Sequence, residues 1–151
     1  MPPEHGGAQG TLPAVVIDTN RVLDLWLFHD PATTALRQAI EAVQLRWLAD
    51  PAMRAELKRV LGYPAITRQL AARKTTDAAA VLAAFDRWHQ SAAAAAPAAV
   101  LCHDPDDQIF INLAIAHRAH LISRDRQLLK LRRQLAPHGV TVSAVWNASQ
   151  A

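Results

Sequence analysis

The sequence contains few of the residues that mark several protein classes: one cysteine, five glycines and one tyrosine in 151 residues. The single cysteine, Cys102, excludes a disulfide framework or a cysteine zinc site within one chain. No apolar run reaches the ~20 residues that span a bilayer, and the N-terminus lacks the basic start and apolar segment of a secretory signal. We therefore expect a cytoplasmic protein that is not inserted in a membrane.

Charge of either sign is also modest, with 16 Lys and Arg against 13 Asp and Glu and a net charge of +3. Hydrophobic residues make up 51% of the chain, and many of them are alanine. This composition is typical of a globular domain and argues against global disorder. The length fits one domain, which we place at 14–147 between tails at 1–13 and 148–151.

Short apolar segments alternate with helical patterns along the chain. The predicted strands are 14–18, 45–49, 98–102, 120–123 and 140–145. Asp-Pro pairs begin three helical patterns, because an Asp side chain caps a helix and Pro fits its first turn. An alanine-rich helix is predicted over 78–96, where Pro97 ends it. This alternation predicts a mostly parallel sheet with helices on both faces.

Carboxylates lie where the predicted strands end. Asp18 ends the first predicted strand and Asp125 follows the fourth. The C-terminal part of the chain has only four acidic residues, all at strand-to-helix junctions, and they are Asp104, Asp106, Asp107 and Asp125. Ligands of parallel sheets bind at the carboxyl ends of the strands, so we expect these side chains to meet there.

Each of these acids also has a simpler interpretation. Asp104 and Asp125 fit helix N-caps, and Asp107 lies in a first helical turn, where the helix dipole favours an anion. Glu56, at the margin of an apolar helix face, can form a surface ion pair within its own helix. Asp18 is harder to explain in this way, because an unpaired carboxylate at the end of an apolar strand is costly to bury.

A cluster of Asp18, Glu56, Asp107 and Asp125 would be stable only with protons or cations between the side chains. Ligands that are all oxygen suit Mg²⁺ or Mn²⁺ better than zinc. A metal held by carboxylates supports the attack of water on phosphate. Neutralising these acids would leave a larger excess of Lys and Arg, which favours a phosphodiester backbone as partner.

Four segments of the chain together resemble the PIN-domain family. They are Val16-Ile17-Asp18-Thr19-Asn20, Arg54-Ala55-Glu56-Leu57, Asp104-Pro105-Asp106-Asp107 followed by Ile109-Phe110-Ile111-Asn112-Leu113-Ala114, and Leu121-Ile122-Ser123-Arg124-Asp125 with Leu128-Leu129. The similarity extends from about 15 to 146. It is greatest with the bacterial branch of toxin components of toxin–antitoxin pairs.

This resemblance implies a three-layer α/β/α sandwich around a five-stranded, mostly parallel sheet. It implies a ribonuclease that uses one or two Mg²⁺ or Mn²⁺ ions, with RNA as substrate, an antitoxin as partner and a homodimer as the expected assembly. The acids that match the family's catalytic metal ligands are Asp18, Glu56, Asp107 and Asp125. Asp107 is chosen over Asp104 because it lies seven residues before Ala114, as the family's helical acid does before its small residue.

Neighbouring polar residues receive supporting roles in this interpretation. Asn20, Ser123 and Asp104 are expected to orient or support the metal ligands, Ser123 standing where many members have Thr. Asp24, one turn after Asn20, is expected on the helix surface. The flanking cations are expected to bind the RNA backbone, with plain surface charge as the alternative, and they are Arg21, Arg124 and Arg126.

Two other functions remain to be weighed against the nuclease. An aspartyl phosphatase normally has a second Asp two residues after the first, where this chain has Asn20. The main alternative is a PIN-like module that binds RNA or protein without cleaving it. The complete set of acids favours the nuclease.

Overall fold

A computed structural model of the chain describes residues 12–147. The predicted tails at 1–13 and 148–151 therefore lie outside the described residues, apart from Leu12 and Pro13. The carbonyl groups of these two residues accept hydrogen bonds from Arg46, at 3.3 Å from its Nε and 2.8 Å from its backbone N. Within the described range, no helix is both long and apolar enough to cross a membrane.

Five strands form one sheet in the order β3-β2-β1-β4-β5, and every pairing is parallel. The strands are β1 (Ala14–Ile17), β2 (Arg46–Ala49), β3 (Gln90–Ser91), β4 (His120–Ile122) and β5 (Thr141–Ser143). The central strand β1 is buried along its whole length, as expected for a parallel sheet covered on both faces. The predicted α/β sandwich with a five-stranded parallel sheet is confirmed.

Eight α-helices connect and cover the strands within the described part of the chain. They are α1 (Thr19–Trp26), α2 (Thr34–Glu41), α3 (Pro51–Leu61), α4 (Pro64–Ala72), α5 (Ala78–Trp88), α6 (Gln108–His117), α7 (Arg126–Leu129) and α8 (Arg132–Leu135). Short 3₁₀ turns precede α2 and α6 and follow α8. The Asp cap predicted at the second Asp-Pro pair is present, since the Asp50 carboxylate accepts from Met53 N at 3.0 Å. Asp77 caps α5 in the same way.

Three aromatic rings pack together in the core on one side of the sheet. Trp26 and Trp47 are stacked with their ring centroids 5.3 Å apart, and Phe85 meets Trp47 edge-on at 5.2 Å. Trp26 and Trp47 are both buried. Three separate elements, α1, β2 and α5, are thereby held together on one side of the sheet.

The third strand is not where the sequence predicted it. The alanine-rich helix ends at Trp88 instead of continuing to residue 96, and β3 follows it directly as an edge strand beside β2. Ala92 extends this contact by donating its N–H to Ala49 O at 2.9 Å. Pairing with β2 therefore outweighs the helical preference of the alanines.

Segment 98–102 forms no strand because α6 side chains bind its backbone. Asn112 Oδ1 accepts from Ala98 N at 3.0 Å. The Gln108 amide donates to Val100 O at 2.9 Å and accepts from Cys102 N at 2.7 Å. These bonds replace those of a strand ladder, so the acids that follow this segment come from an irregular loop. The sequence prediction also missed helix α4, none of whose residues is buried.

Candidate active site

Acidic side chains converge at the carboxyl edge of the sheet. Asp18 directly follows β1, and Asp125 lies three residues beyond the end of its neighbour β4. A cleft of about 370 Å³ opens here. The acids that line it are Asp18, Glu56, Asp104, Asp106, Asp107 and Asp125. All four predicted metal ligands therefore border one cavity, although they come from separate parts of the chain.

Asp18 is the most deeply placed of these acids, with 4% of its surface exposed. One carboxylate oxygen accepts from Arg21 N at 2.9 Å and thereby caps α1. The other accepts a hydrogen bond from the Ser123 hydroxyl. Burial raises the pKa of Asp18 to about 6, because the charged form has lost most of its water, and the nearby charge of Asp125 adds to this effect.

Ser123 connects the two strand ends. Its side chain is fully buried, and its hydroxyl both donates to Asp18 and accepts from Asp125 N at 3.0 Å. Asp125 in turn caps α7 by accepting from Gln127 N at 2.8 Å. The chain turn after β4 is therefore locked to the end of β1, which fixes Asp18 and Asp125 relative to each other.

Asp107 lies at the start of α6 and faces the other acids. Partial burial and the charges of Asp125 and Asp104 raise its pKa to about 7, and its carboxyl group hydrogen-bonds to that of Asp125. The negative charge of Asp18 also acts on it. The three carboxyls of Asp18, Asp107 and Asp125 thus behave as one electrostatic group, in which a proton remains near neutral pH unless a cation replaces it.

Glu56 lies on the wall of the cleft formed by α3. Its side chain is only 14% exposed, but its carboxylate is paired with Arg59 one turn further along the helix. Arg59 also lies 3.7 Å from Asp106. Glu56 therefore lies beside the cleft, as predicted, and also forms the ion pair within its helix that was the simpler interpretation.

Two of the three predicted supporting residues, Asp104 and Asn20, lie in the cleft lining. Asp104 caps the 3₁₀ turn Pro105–Asp107 by accepting from Asp106 N at 2.9 Å, so its role as a cap is seen directly. Asn20 is exposed. Asn20 was predicted to orient Asp18. The hydrogen bonds that do so come instead from Ser123 and from Arg21 N.

Two of the predicted surface residues are buried partners of each other. Arg21 and Asp24 are 4% and 3% exposed, and Arg21 Nη1 lies 2.9 Å from Asp24 Oδ2. Arg21 Nε also donates to Ala144 O at 3.0 Å. The expectation that Asp24 lies on the helix surface is wrong, and we no longer propose Arg21 as an RNA-binding residue, because its guanidinium is enclosed within the protein.

Asp24 also forms an ion pair with Arg124. The sequence predicted that Arg124 lies near the acids but did not identify Asp24 as its partner. Arg124 Nε donates to Asp24 Oδ2 at 2.7 Å, while half of the Arg124 side chain remains exposed. Its positive charge acts on Asp18 and lowers the pKa of that carboxyl against the larger effect of burial. Arg126, two residues further on, is exposed beside the cleft acid Asp125.

The donor set of the cleft fits a hard divalent cation. Its ligands are oxygen atoms of carboxylates, and the mutual repulsion of these carboxylates, which adds to the larger effect of burial in raising the pKa values of Asp18 and Asp107, would be relieved by a cation between them. In residues 12–147, no three His, Cys, Asp or Glu side chains are already arranged as a formed metal site. For these carboxylates to surround an ion, at least one side chain would have to rotate. Glu56 is the clearest candidate, because it would have to leave its ion pair with Arg59.

Comparisons with known proteins agree with this architecture. A PIN domain family model matches residues 14–127, from β1 into α7. No curated protein matches the sequence. Among solved structures, the chain is similar to one in the crystal structure of VapBC2 from Rickettsia felis bound to a DNA fragment from their promoter. The identity is 15%, the TM-score is 0.57, and the alignment covers 89% of this chain and 99% of that chain.

At this level of identity the structural likeness concerns the fold alone. The family model covers most of the described chain, including each of the segments that carry Asp18, Glu56, Asp107 and Asp125. It therefore confirms the resemblance that the sequence motifs indicated. The chain belongs to the PIN-domain family.

Proposed function

We propose that this protein is a ribonuclease that hydrolyses RNA phosphodiester bonds with Mg²⁺ or Mn²⁺. The observation that carries the proposal is the convergence of Asp18, Asp107 and Asp125 at one sheet edge. The pKa values of Asp18 and Asp107 are raised by burial and by neighbouring negative charge. Membership of the PIN-domain family supports the same conclusion, since its members are generally nucleases that use divalent metals.

The four acids Asp18, Glu56, Asp107 and Asp125 would hold one or two ions. When bound, a divalent ion supplies activation of water and stabilisation of the charge that develops on phosphate. Ser123 keeps the Asp18 carboxylate turned towards the cleft through its hydrogen bond. Asp104 contributes negative charge at the cleft and shapes the turn that presents Asp107.

Arg124 and Arg126 are the cations that we assign to RNA. Arg124 is held by Asp24 through its Nε, while half of its side chain remains exposed. Arg126 is exposed and has no ion pair among residues 12–147. Both follow Ser123 in the chain segment that carries Asp125, so they would bind phosphates beside the one that is cleaved.

We further propose that the protein is the toxin of a type II toxin–antitoxin pair and acts in the cytoplasm as a homodimer. The similarity to a chain of the VapBC2 complex supports an antitoxin as partner. An antitoxin would be expected to cover the acidic cleft. Light scattering of the purified chain tests the dimer, and co-purification with the product of an adjacent gene tests the antitoxin.

Cleavage of RNA tests the central proposal. The wild-type chain should convert single-stranded or structured RNA to products with Mn²⁺ and should form none with EDTA. Asp107→Asn should form no products while unfolding at a temperature no lower than that of the wild type, because it removes a carboxylate whose pKa is raised. Asp86→Asn is the matched control, because Asp86 is an exposed carboxylate paired with Arg54 outside the cleft. Equal cleavage by the Asp107 variant would remove that residue from the site. A wild-type chain that retains RNA without forming products would favour the binding module.

A further inference from the structure

The cleft has a second wall that the acids do not explain. It is formed by the end of α3 and the start of α4, and its residues are Val60, Tyr63, Ala65 and Ile66. Tyr63 is the only tyrosine of the chain and is 46% exposed. Carboxylates and an open aromatic side chain therefore border the same cavity.

The folded chain gives no internal reason for this aromatic residue. Tyr63 occupies the N-cap position of α4, where its side chain makes no capping hydrogen bond. On the helix that follows, Ile66 and Leu70 are partly buried against the core, whereas Tyr63 is not part of that packing. The rings of Trp47 and Phe85, by contrast, are enclosed in the core. An exposed apolar surface that borders a functional cleft is typical of a ligand contact.

We propose that Tyr63 and the apolar wall around it form a nucleobase subsite, in which one base of the bound RNA strand stacks on the Tyr63 ring. This inference rests on the proposed function for the identity of the ligand. A base offers a flat, uncharged face that stacks on an aromatic ring regardless of its sequence. The phosphate would lie against the acids and their metal, and the base attached to a neighbouring ribose would lie against this wall.

The charges of the cleft favour a base over a phosphate at this wall. Six carboxylates line the cavity and repel phosphate oxygens wherever no cation lies between them. Arg59, a cation of α3 that interacts electrostatically with Tyr63, is already paired with Glu56 and lies 3.7 Å from Asp106. The neutral part of a nucleotide is therefore the part that the wall can accept. An apolar protein segment is the competing occupant, and the experiment below separates the two.

Binding of a short fluorescein-labelled single-stranded RNA tests the subsite. Every arm uses the full chain with Asp107→Asn as background, so that RNA stays intact, with Mn²⁺ present throughout. Tyr63→Ala should weaken binding about 5- to 150-fold, the range expected for loss of one stacked base. Tyr63→Phe keeps the ring and should bind within about twofold of the background. Val43→Ala is the control, because Val43 is an exposed apolar residue that does not line the cleft.

A series of RNAs with one abasic position each identifies the stacked base. With Tyr63 present, one abasic position should weaken binding by the same factor as Tyr63→Ala. In the Tyr63→Ala chain, that position should have no further effect, because the two changes remove one interaction. The salt dependence of binding should be unchanged by Tyr63→Ala, since no phosphate contact is lost.

Two results would overturn the subsite: RNA binding by Tyr63→Ala that is as tight as the background, or an abasic effect that is equal with and without the ring. Either result would leave the wall to a protein partner. Cleavage by the wild-type chain is measured separately and reports on the proposed function. A chain that cleaves RNA while Tyr63→Ala binds normally disproves the subsite alone, and a Tyr63 effect without any cleavage disproves the nuclease alone.

Discussion

The buried carboxylate of Asp18 should make the protein less stable as the pH rises. In an unfolded chain this group ionises near its ordinary pKa of 3.8, whereas in the folded chain its pKa is about 6. At pH values between 3.8 and about 6, Asp18 is therefore protonated in the folded chain and ionised in the unfolded chain. The free energy of unfolding falls as the pH rises through this range. Above about pH 7 the loss is complete, because both states are then ionised.

The size of this effect follows from the two pKa values. Their difference corresponds to about 3 kcal/mol, at 1.36 kcal/mol for each tenfold change in proton affinity. No large discount for solvent screening applies, because the residue is only 4% exposed. Asp18→Asn removes the charge and keeps the shape: its oxygen can accept from Arg21 N, and the Ser123 hydroxyl can turn to accept from the amide.

Urea unfolding of the wild type and of Asp18→Asn in EDTA, at several pH values from 4 to 8, measures this prediction. The variant should be more stable by up to about 3 kcal/mol at pH 8, equivalent to roughly 6–12 °C in Tm, and the advantage should vanish near pH 4. The comparison is made between the two chains at each pH so that other titrating groups cancel. Addition of Mn²⁺ at pH 8 should raise the Tm of the wild type but not that of the variant.

Asp86→Asn supplies a control of opposite sign. Hydrogen bonds from Arg54 lower the pKa of Asp86, so its contribution to stability is present at neutral pH and is lost as the pH falls. This variant should keep the response to Mn²⁺. An Asp18→Asn chain that is no more stable than the wild type at pH 8 would refute the reasoning, since the carboxylate would then carry no cost for a cation to relieve.

Three further predictions concern residues around the cleft and the sheet. Burial lowers the pKa of His120 to about 4, so stability should fall as the pH drops from about 6.5 towards 4, and His120→Gln should flatten this part of the profile in urea unfolding. Asp24→Asn should cost about 1.5–3 kcal/mol in the same assay, because the buried Arg21 loses its closest carboxylate and keeps Asp30 at 3.3 Å, whereas Arg124→Gln should cost much less because that side chain is half-exposed. Arg126→Gln should reduce the slope of log Kd for single-stranded RNA against log salt by about 0.7, with Arg87→Gln, an exposed cation outside the cleft, as the control that leaves it unchanged.

Local sequence patterns correctly predicted those parts of the fold that are determined by residues close together in the chain. The apolar run of β1, the Asp caps of α3 and α5 and the order of strands and helices each follow from neighbouring residues. The candidate acids could be found for the same reason, because a carboxylate at the end of an apolar strand is unusual on its own. All four of these acids line one cleft, and their role as metal ligands stays a prediction.

The features that sequence reasoning missed depend on contacts between distant segments. Strand β3 exists because Gln90 and Ser91 pair with Leu48 and Ala49, which no pattern within 90–91 reveals. The burial of Asp24 depends on Arg124, a hundred positions further along the chain. Segment 98–102 has the composition of a strand, but polar side chains of α6 occupy its backbone groups. In each case tertiary contacts outweigh local preference.

The pairing of Glu56 explains how a cleft whose donors fit a divalent ion can contain no formed metal site in the described residues. Asp18 and Asp125 are fixed by Ser123, whereas Glu56 is bound to Arg59, an exposed side chain. Exposed ion pairs contribute little to stability, so a divalent ion among the carboxylates has only a weak competitor for Glu56. Arg59 would then keep Asp106 as its partner, 3.7 Å away, so its charge stays paired within the protein and the wall beside Tyr63 still favours an uncharged base.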